Sequence, residues 1–144
     1  MAKKSTIARI YDDLVTACKT VVESKYIFTG GRPNNIMTDS DVAKFIVIDL
    51  PVSIEDIAFG NKKFVLDTTG VIYLFVKSKK DSTLNVNATS DFIEEVFNLF
   101  PVRGAVCGAA NPKVLTRGAD EYGYQVVTVT FDLQTKANVF NNNV

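Results

Sequence analysis

Polar and apolar positions along this chain change period several times. Residues 122–135, YGYQVVTVTFDLQT, hold the longest alternation of two. Val127, Val129, Phe131 and Leu133 fall on one face, and Tyr124, Val126, Thr128, Thr130 and Asp132 on the other. β-Branched and aromatic residues at that period specify a half-buried strand. The stretch carries no obvious catalytic residue, so it reads as a frame rather than an active site.

Elsewhere the period lengthens. Over residues 5–24, Ile7, Ile10, Tyr11, Leu14, Val15, Cys18, Val21 and Val22 keep helical spacing, with charged and polar residues between them. That predicts an amphipathic helix, capped by Ser5 or Thr6, with one stripe to bury. Residues 42–50, VAKFIVIDL, are apolar on both faces, with Phe45 and Val47 on one and Ile46 and Ile48 on the other. A central strand covered on both sides has that pattern. Residues 51–61 are expected to be irregular after Pro51, and 64–66 to be a short strand. Residues 67–70 read as a turn, and 71–78, VIYLFVKS, as a further strand that closes a hairpin through Gly70.

A second helix is expected over 91–100, DFIEEVFNLF, capped by Thr89 or Ser90 and stopped by Pro101. Phe92, Ile93, Val96, Phe97, Leu99 and Phe100 give it more apolar surface than a one-sided helix needs. Either the helix is sandwiched, or Phe97 and its neighbours meet another chain. Residues 102–110 are rich in small side chains and allow close backbone approach. Asn111-Pro112 turns the chain, 113–116 is weakly extended and a candidate peptide-accepting edge, and 118–123 is a loop. The asparagine-rich residues 136–144 are expected to form a mobile tail, with Val139 and Phe140 as possible anchors to a partner.

The order of elements predicts one α+β domain over residues 1–144. It consists of an antiparallel or mixed sheet of about four to five strands, with two helices packed on one face.

Composition narrows the function. Sixteen basic residues balance sixteen acidic ones, which argues against broad nonspecific binding to nucleic acid or membrane and eases self-association. The chain has no histidine, which removes Ser-His-Asp and Cys-His mechanisms and histidine-based zinc sites. The two cysteines, Cys18 and Cys107, lie in apolar contexts outside any CxxC pair and read as buried free thiols. Asp49, Asp67, Asp120, Glu121 and Asp132 form no convincing catalytic pair. No catalytic, cofactor or metal residue is assigned, and the chain is expected not to be an enzyme. The start is basic but lacks the long apolar run of a signal peptide or membrane span, so synthesis in a cytoplasm is expected.

Candidate contact residues lie in loops. Arg32 and Asn34 sit in the glycine- and asparagine-bearing stretch 29–41, and Lys77, Lys79 and Lys80 at a charged tip within 77–89. The lysines suit either an edge guard or a weak phosphate contact.

The order of the stretches 7–22, 43–50, 70–78, 90–100 and 122–135 resembles the tail-terminator and tail-completion proteins of tailed bacteriophages. The likeness is one of pattern over nearly the whole chain and departs at 51–63 and 102–110. It implies a structural virion protein that forms a ring, commonly a homo-hexamer, between the tail and the head-side connector. The partners would be neighbouring connector and tail proteins, with DNA passing without sequence preference. Arg32, Asn34, Lys77, Lys79, Lys80, Phe97 and Thr130 are then candidate interface or lumen residues. The alternative is a small cellular adaptor that holds a peptide or protein partner.

Overall fold

A computed structural model describes residues 6–31, 42–50, 55–59, 63–81, 83–120 and 122–135. The first helix, α1, spans Thr6–Cys18. Ile10, Leu14 and Cys18 of its stripe are fully buried, while Tyr11 and Val15 are half-buried. The helical hydrogen bonding tightens after Cys18, whose carbonyl accepts from both Val21 and Val22. A single 3-10 turn at Ser24–Tyr26 then leads into β1, Ile27–Thr29.

The remaining strands are β2 (Lys44–Asp49), β3 (Glu55–Phe59), β4 (Lys63–Lys77), β5 (Val102–Arg103), β6 (Cys107–Ala119) and β7 (Tyr124–Thr135). Helix α2, Val86–Phe97, separates β4 from β5. The sheet runs β1-β2-β4-β7-β6-β5, with β3 paired to β4 beyond the end of β2. It is mixed, because β1 is parallel to β2 and the other pairs are antiparallel. The sheet is therefore larger than the four or five strands expected from sequence, while its α+β class and helix-covered face agree with that expectation.

Alternation in β2 divides the core. Ile46 and Ile48 enter the main cluster with Ile10, Leu14, Phe92, Val96 and the β7 residues Val127, Val129, Phe131 and Leu133. Phe45 and Val47 enter a second cluster on the opposite face, with Phe75 and Tyr124. There Phe45 stacks on Phe75 with centroids 4.3 Å apart, and Tyr124 stands edge-on to Phe45 at 5.2 Å. Tyr124 also donates its hydroxyl to the Val42 carbonyl at 2.8 Å.

Three local expectations are corrected. Residues 63–77 form one continuous strand, with no turn at 67–70 and no hairpin through Gly70. Gly70 faces Phe131 in register, and a Cβ built on it would lie 2.3 Å from the Phe131 ring. The glycine makes room for that ring rather than for a turn. The stretch 51–61, expected to be irregular, contains β3. Helix α2 starts five residues early because Asn85, rather than Thr89 or Ser90, is its cap, accepting the Ala88 N–H at 3.2 Å.

The apolar excess of α2 is absorbed inside the subunit. Phe92 and Val96 are fully buried, and Ile93, Phe97, Leu99 and Phe100 pack against the same core. Lys44 of β2 reaches over α2, 4.8 Å from the Phe92 ring centroid and 3.7 Å from the Glu95 carboxylate.

Candidate assembly surface

Strand β6 is where the sequence and the sheet diverge most. The weakly extended 113–116 and part of the small-residue stretch 102–110 are one strand of 13 residues. Small residues serve its first half. Gly108 and Ala109 pair with β5, and Gly104 lies so close to α1 that a Cβ there would overlap the Asp13 carboxylate. Asp13 accepts the N–H groups of Ala105, Val106 and Cys107 at 3.1, 2.8 and 3.2 Å, and the Cys107 thiol at 3.5 Å. A carboxylate with that many donors fixes the β5–β6 connection to the first helix.

Beyond Ala109 the outer edge of β6 meets no strand among the described residues. Its inner edge stays paired to β7 as far as Ala119, with register irregularities between Ala110 and Lys113 and between Val114 and Thr116. Asn111 takes a positive φ of 59° at the first of these, and its amide donates to Asp132 of β7 at 2.8 Å. The expected turn at Asn111-Pro112 is thus a bulge within the strand. The edge carries Val114 at 43% and Leu115 at 62% exposure, flanked by exposed Lys113 and Arg117. A tight connection closes the far end, where Asp120 accepts the N–H groups of Tyr122 and Tyr124 at 2.8 and 2.9 Å.

At its other end β6 borders an open groove of about 870 Å³, lined among others by Arg103, Gly108, Ala110, Asp132 and Gln134. Among the described residues, no group of three or more Cys, Asp or Glu side chains is placed to hold a metal ion. No helix among them is long and apolar enough to cross a membrane.

The residues singled out from sequence are not gathered into one site. Arg32, Asn34 and most of the stretch 29–41 lie outside the described residues, as does the tail 136–144 with Val139 and Phe140. Lys77 ends β4, half-buried and opposite Tyr124, while Lys79 and Lys80 are exposed just beyond it. Their tip is a closed turn. Lys79 N–H donates to the Thr83 carbonyl, and Asp81 accepts both the N–H and the hydroxyl of Thr83. The Thr83 hydroxyl, then its N–H, holds the Asp81 carboxyl below the ordinary carboxylate range. Phe97 sits on the helix-covered side.

Thr130 was expected on a solvent, lumen or interface face. It is buried at 6% exposure, and its hydroxyl has no partner among the described residues. The face opposite the helices is covered at that point, so Thr130 offers no free surface.

Asp49 is half-buried at the end of β2, accepting the Tyr11 hydroxyl at 3.3 Å and the Leu50 N–H at 2.9 Å. Burial, opposed by the Leu50 N–H and aided by the Asp49 charge, raises the Tyr11 phenol above its ordinary value. Asp49 thus ties α1 to β2. Arg117 and Asn111 were missed in the sequence. The adjacent apolar pair Val114-Leu115 in a polar context was the available signal for this edge.

No family model and no curated protein matches the chain. Solved structures do. One, which carries a serial designation rather than a functional name, aligns over 94% of this chain and 97% of its own, with 10% identity and a TM-score of 0.60. At that identity it shows a shared fold. Another is a chain from the virion of a native gene transfer agent particle, with 10% identity, 89% and 92% coverage and a TM-score of 0.47.

Proposed function

We propose that this protein is a non-enzymatic structural subunit of a tailed-phage virion, a tail terminator or connector ring at the head–tail junction. The reading joins the order of elements noted in the sequence to one structural observation. Among the described residues, the outer edge of β6 is long, open and apolar at Val114 and Leu115. Open edges of that kind are templates for pairing with another chain. A head-to-tail ring, a homo-hexamer in the sixfold case, needs two unlike complementary patches on each subunit. In such a ring, exposed Lys79 and Lys80 would meet the phosphates of passing DNA without reading sequence.

Light scattering coupled to size-exclusion chromatography, with negative-stain images in the presence of the neighbouring virion proteins, tests this. A multi-subunit mass with ring-shaped particles is the expected result. A chain that stays at 15.8 kDa at all concentrations and binds no virion protein overturns it. If that monomer instead binds extended peptides at β6, it is the adaptor that the same open edge would also serve.

A further inference from the structure

We propose that the open edge of β6 takes an extended acidic segment of a different protein, with carboxylates on both faces of the added strand and apolar residues between them. This deepens the assembly reading of that edge by naming the chemistry of its partner, and it rests on that reading.

The open part of β6 reads Lys-Val-Leu-Thr-Arg-Gly-Ala at 113–119, with two cations and no acid. Lys113, Val114, Leu115, Arg117, Gly118 and Ala119 are all exposed. A Cβ built on Gly118 would meet nothing within 4 Å. Neither cation has an ion pair among the described residues. Main-chain groups along such an edge supply affinity for an incoming strand, and its side chains supply selectivity.

The register sets where the charges point. Partners across an antiparallel pair share a face. Lys113 pairs with Thr130, and Arg117 with Val127. Val127 enters the helix-covered core and Thr130 alternates away from it, so the two cations stand on opposite faces. In an uninterrupted strand, residues four apart share a face. The irregularity between Val114 and Thr116 breaks that rule here. On β7 the two matching positions are three apart, Val127 and Thr130. A strand laid regularly along the outer side therefore answers both cations with acids at i and i+3. Apolar residues between the acids meet exposed Val114 and Leu115. That apolar centre favours a peptide over a phosphate backbone.

The described edges of a second copy do not supply this pattern. Two β6 edges paired about a twofold axis near Leu115 would set Lys113 against Arg117, and like charges across strands oppose pairing. Strand β1 is Ile-Phe-Thr, without charge. Strand β3 stands level with Gly108, away from 113–119.

The test titrates full-length protein into three labelled peptides and follows fluorescence anisotropy. They are Thr-Glu-Ile-Val-Glu-Thr, its isomer Thr-Glu-Val-Glu-Ile-Thr with both acids on one face, and Thr-Lys-Ile-Val-Lys-Thr. The first is expected to bind tightest. Lys113→Glu with Arg117→Glu, shown folded by circular dichroism, should weaken it by about tenfold or more and should instead bind the lysine peptide. Hydrogen exchange should show 113–118 gaining protection with the first peptide. Equal binding of acidic and lysine peptides, or a double variant that binds as wild type does, overturns the proposal. Equal binding of the two acidic isomers overturns the opposite-face geometry. Protection at 27–29 instead of 113–118 overturns β6 as the site, and duplex DNA bound through the two cations where no peptide binds overturns the class of partner. Light scattering on the protein alone separates this from the ring: a ring that binds no peptide overturns only the partner, and a lasting monomer that binds the first peptide overturns only the ring.

Discussion

Asp13 on the first helix accepts the backbone N–H of Val106 at 2.8 Å, joining residues 93 positions apart. The same carboxylate serves Ala105 and Cys107, so one side chain satisfies three main-chain donors where the chain turns into β6. Asp13→Ala leaves those donors without their acceptor and is expected to cost about 2–4 kcal/mol, since hydrogen bonds to a charged group are worth about 1.5–3 kcal/mol each and do not add fully. Urea denaturation should show a lower midpoint with an unchanged slope. An unshifted midpoint would mean that the connection is held by other contacts.

Gly70 faces Phe131 across the β4–β7 ladder. Gly70→Ala forces a methyl group into the ring and is expected to destabilise by about 1–3 kcal/mol, the usual penalty of overpacking. Adding Phe131→Leu should recover part of that loss, giving a coupling energy in a double-mutant cycle. Strict additivity of the two changes would refute the contact.

Cys18 and Cys107 are both buried and are not joined in a disulfide. Burial pushes the Cys18 thiol up from 9.0 to about 12. The native state holds that proton more tightly than the unfolded chain does. Its contribution to stability is therefore complete below pH 9 and disappears as the pH rises toward 12. Neither thiol should react with a disulfide reagent at pH 8 in native protein, and both should react once urea unfolds it. Rapid native labelling of Cys18 would contradict its burial.

The Thr130 hydroxyl is buried without a partner among the described residues. Thr130→Val removes an unsatisfied polar group at nearly constant shape and is expected to be neutral or to stabilise by about 1 kcal/mol. Thr130→Arg should prevent folding, because an unpaired charge cannot be buried cheaply there. Thermal unfolding of the two variants checks both outcomes. A folded Thr130→Arg protein would show that the site opens to solvent.

Much of the core was legible because it is periodic. The stripe Ile10, Leu14, Cys18 and the β7 set Val127, Val129, Phe131, Leu133 were named from spacing alone, and all are buried. What stayed hidden depends on distant partners. Gly70 looks like a turn residue until Phe131 is seen above it, and Asp13 looks like a solvated helix acid until 105–107 arrive beneath it. Strand β6 was divided in reading because Asn111-Pro112 resembles a chain reversal. The structure accommodates the pair as a bulge pinned to Asp132, keeping the strand continuous. The edge itself was glimpsed at 113–116, but its openness among the described residues follows from how little of β6 the two-residue β5 covers.

The central place of β7 also sets a timetable. Gln125 meets Ser78 across 47 positions of sequence, and β7 pairs with β4 on one side and β6 on the other. Contacts of such long sequence separation form late and slowly. Strand β6 is fastened to the sheet through β7, apart from its two pairs with β5. A nascent chain lacking β7 therefore has no ordered β6 to present to a neighbour. Completion of the monomer becomes the kinetic gate for joining copies, which keeps half-made chains out of any assembly.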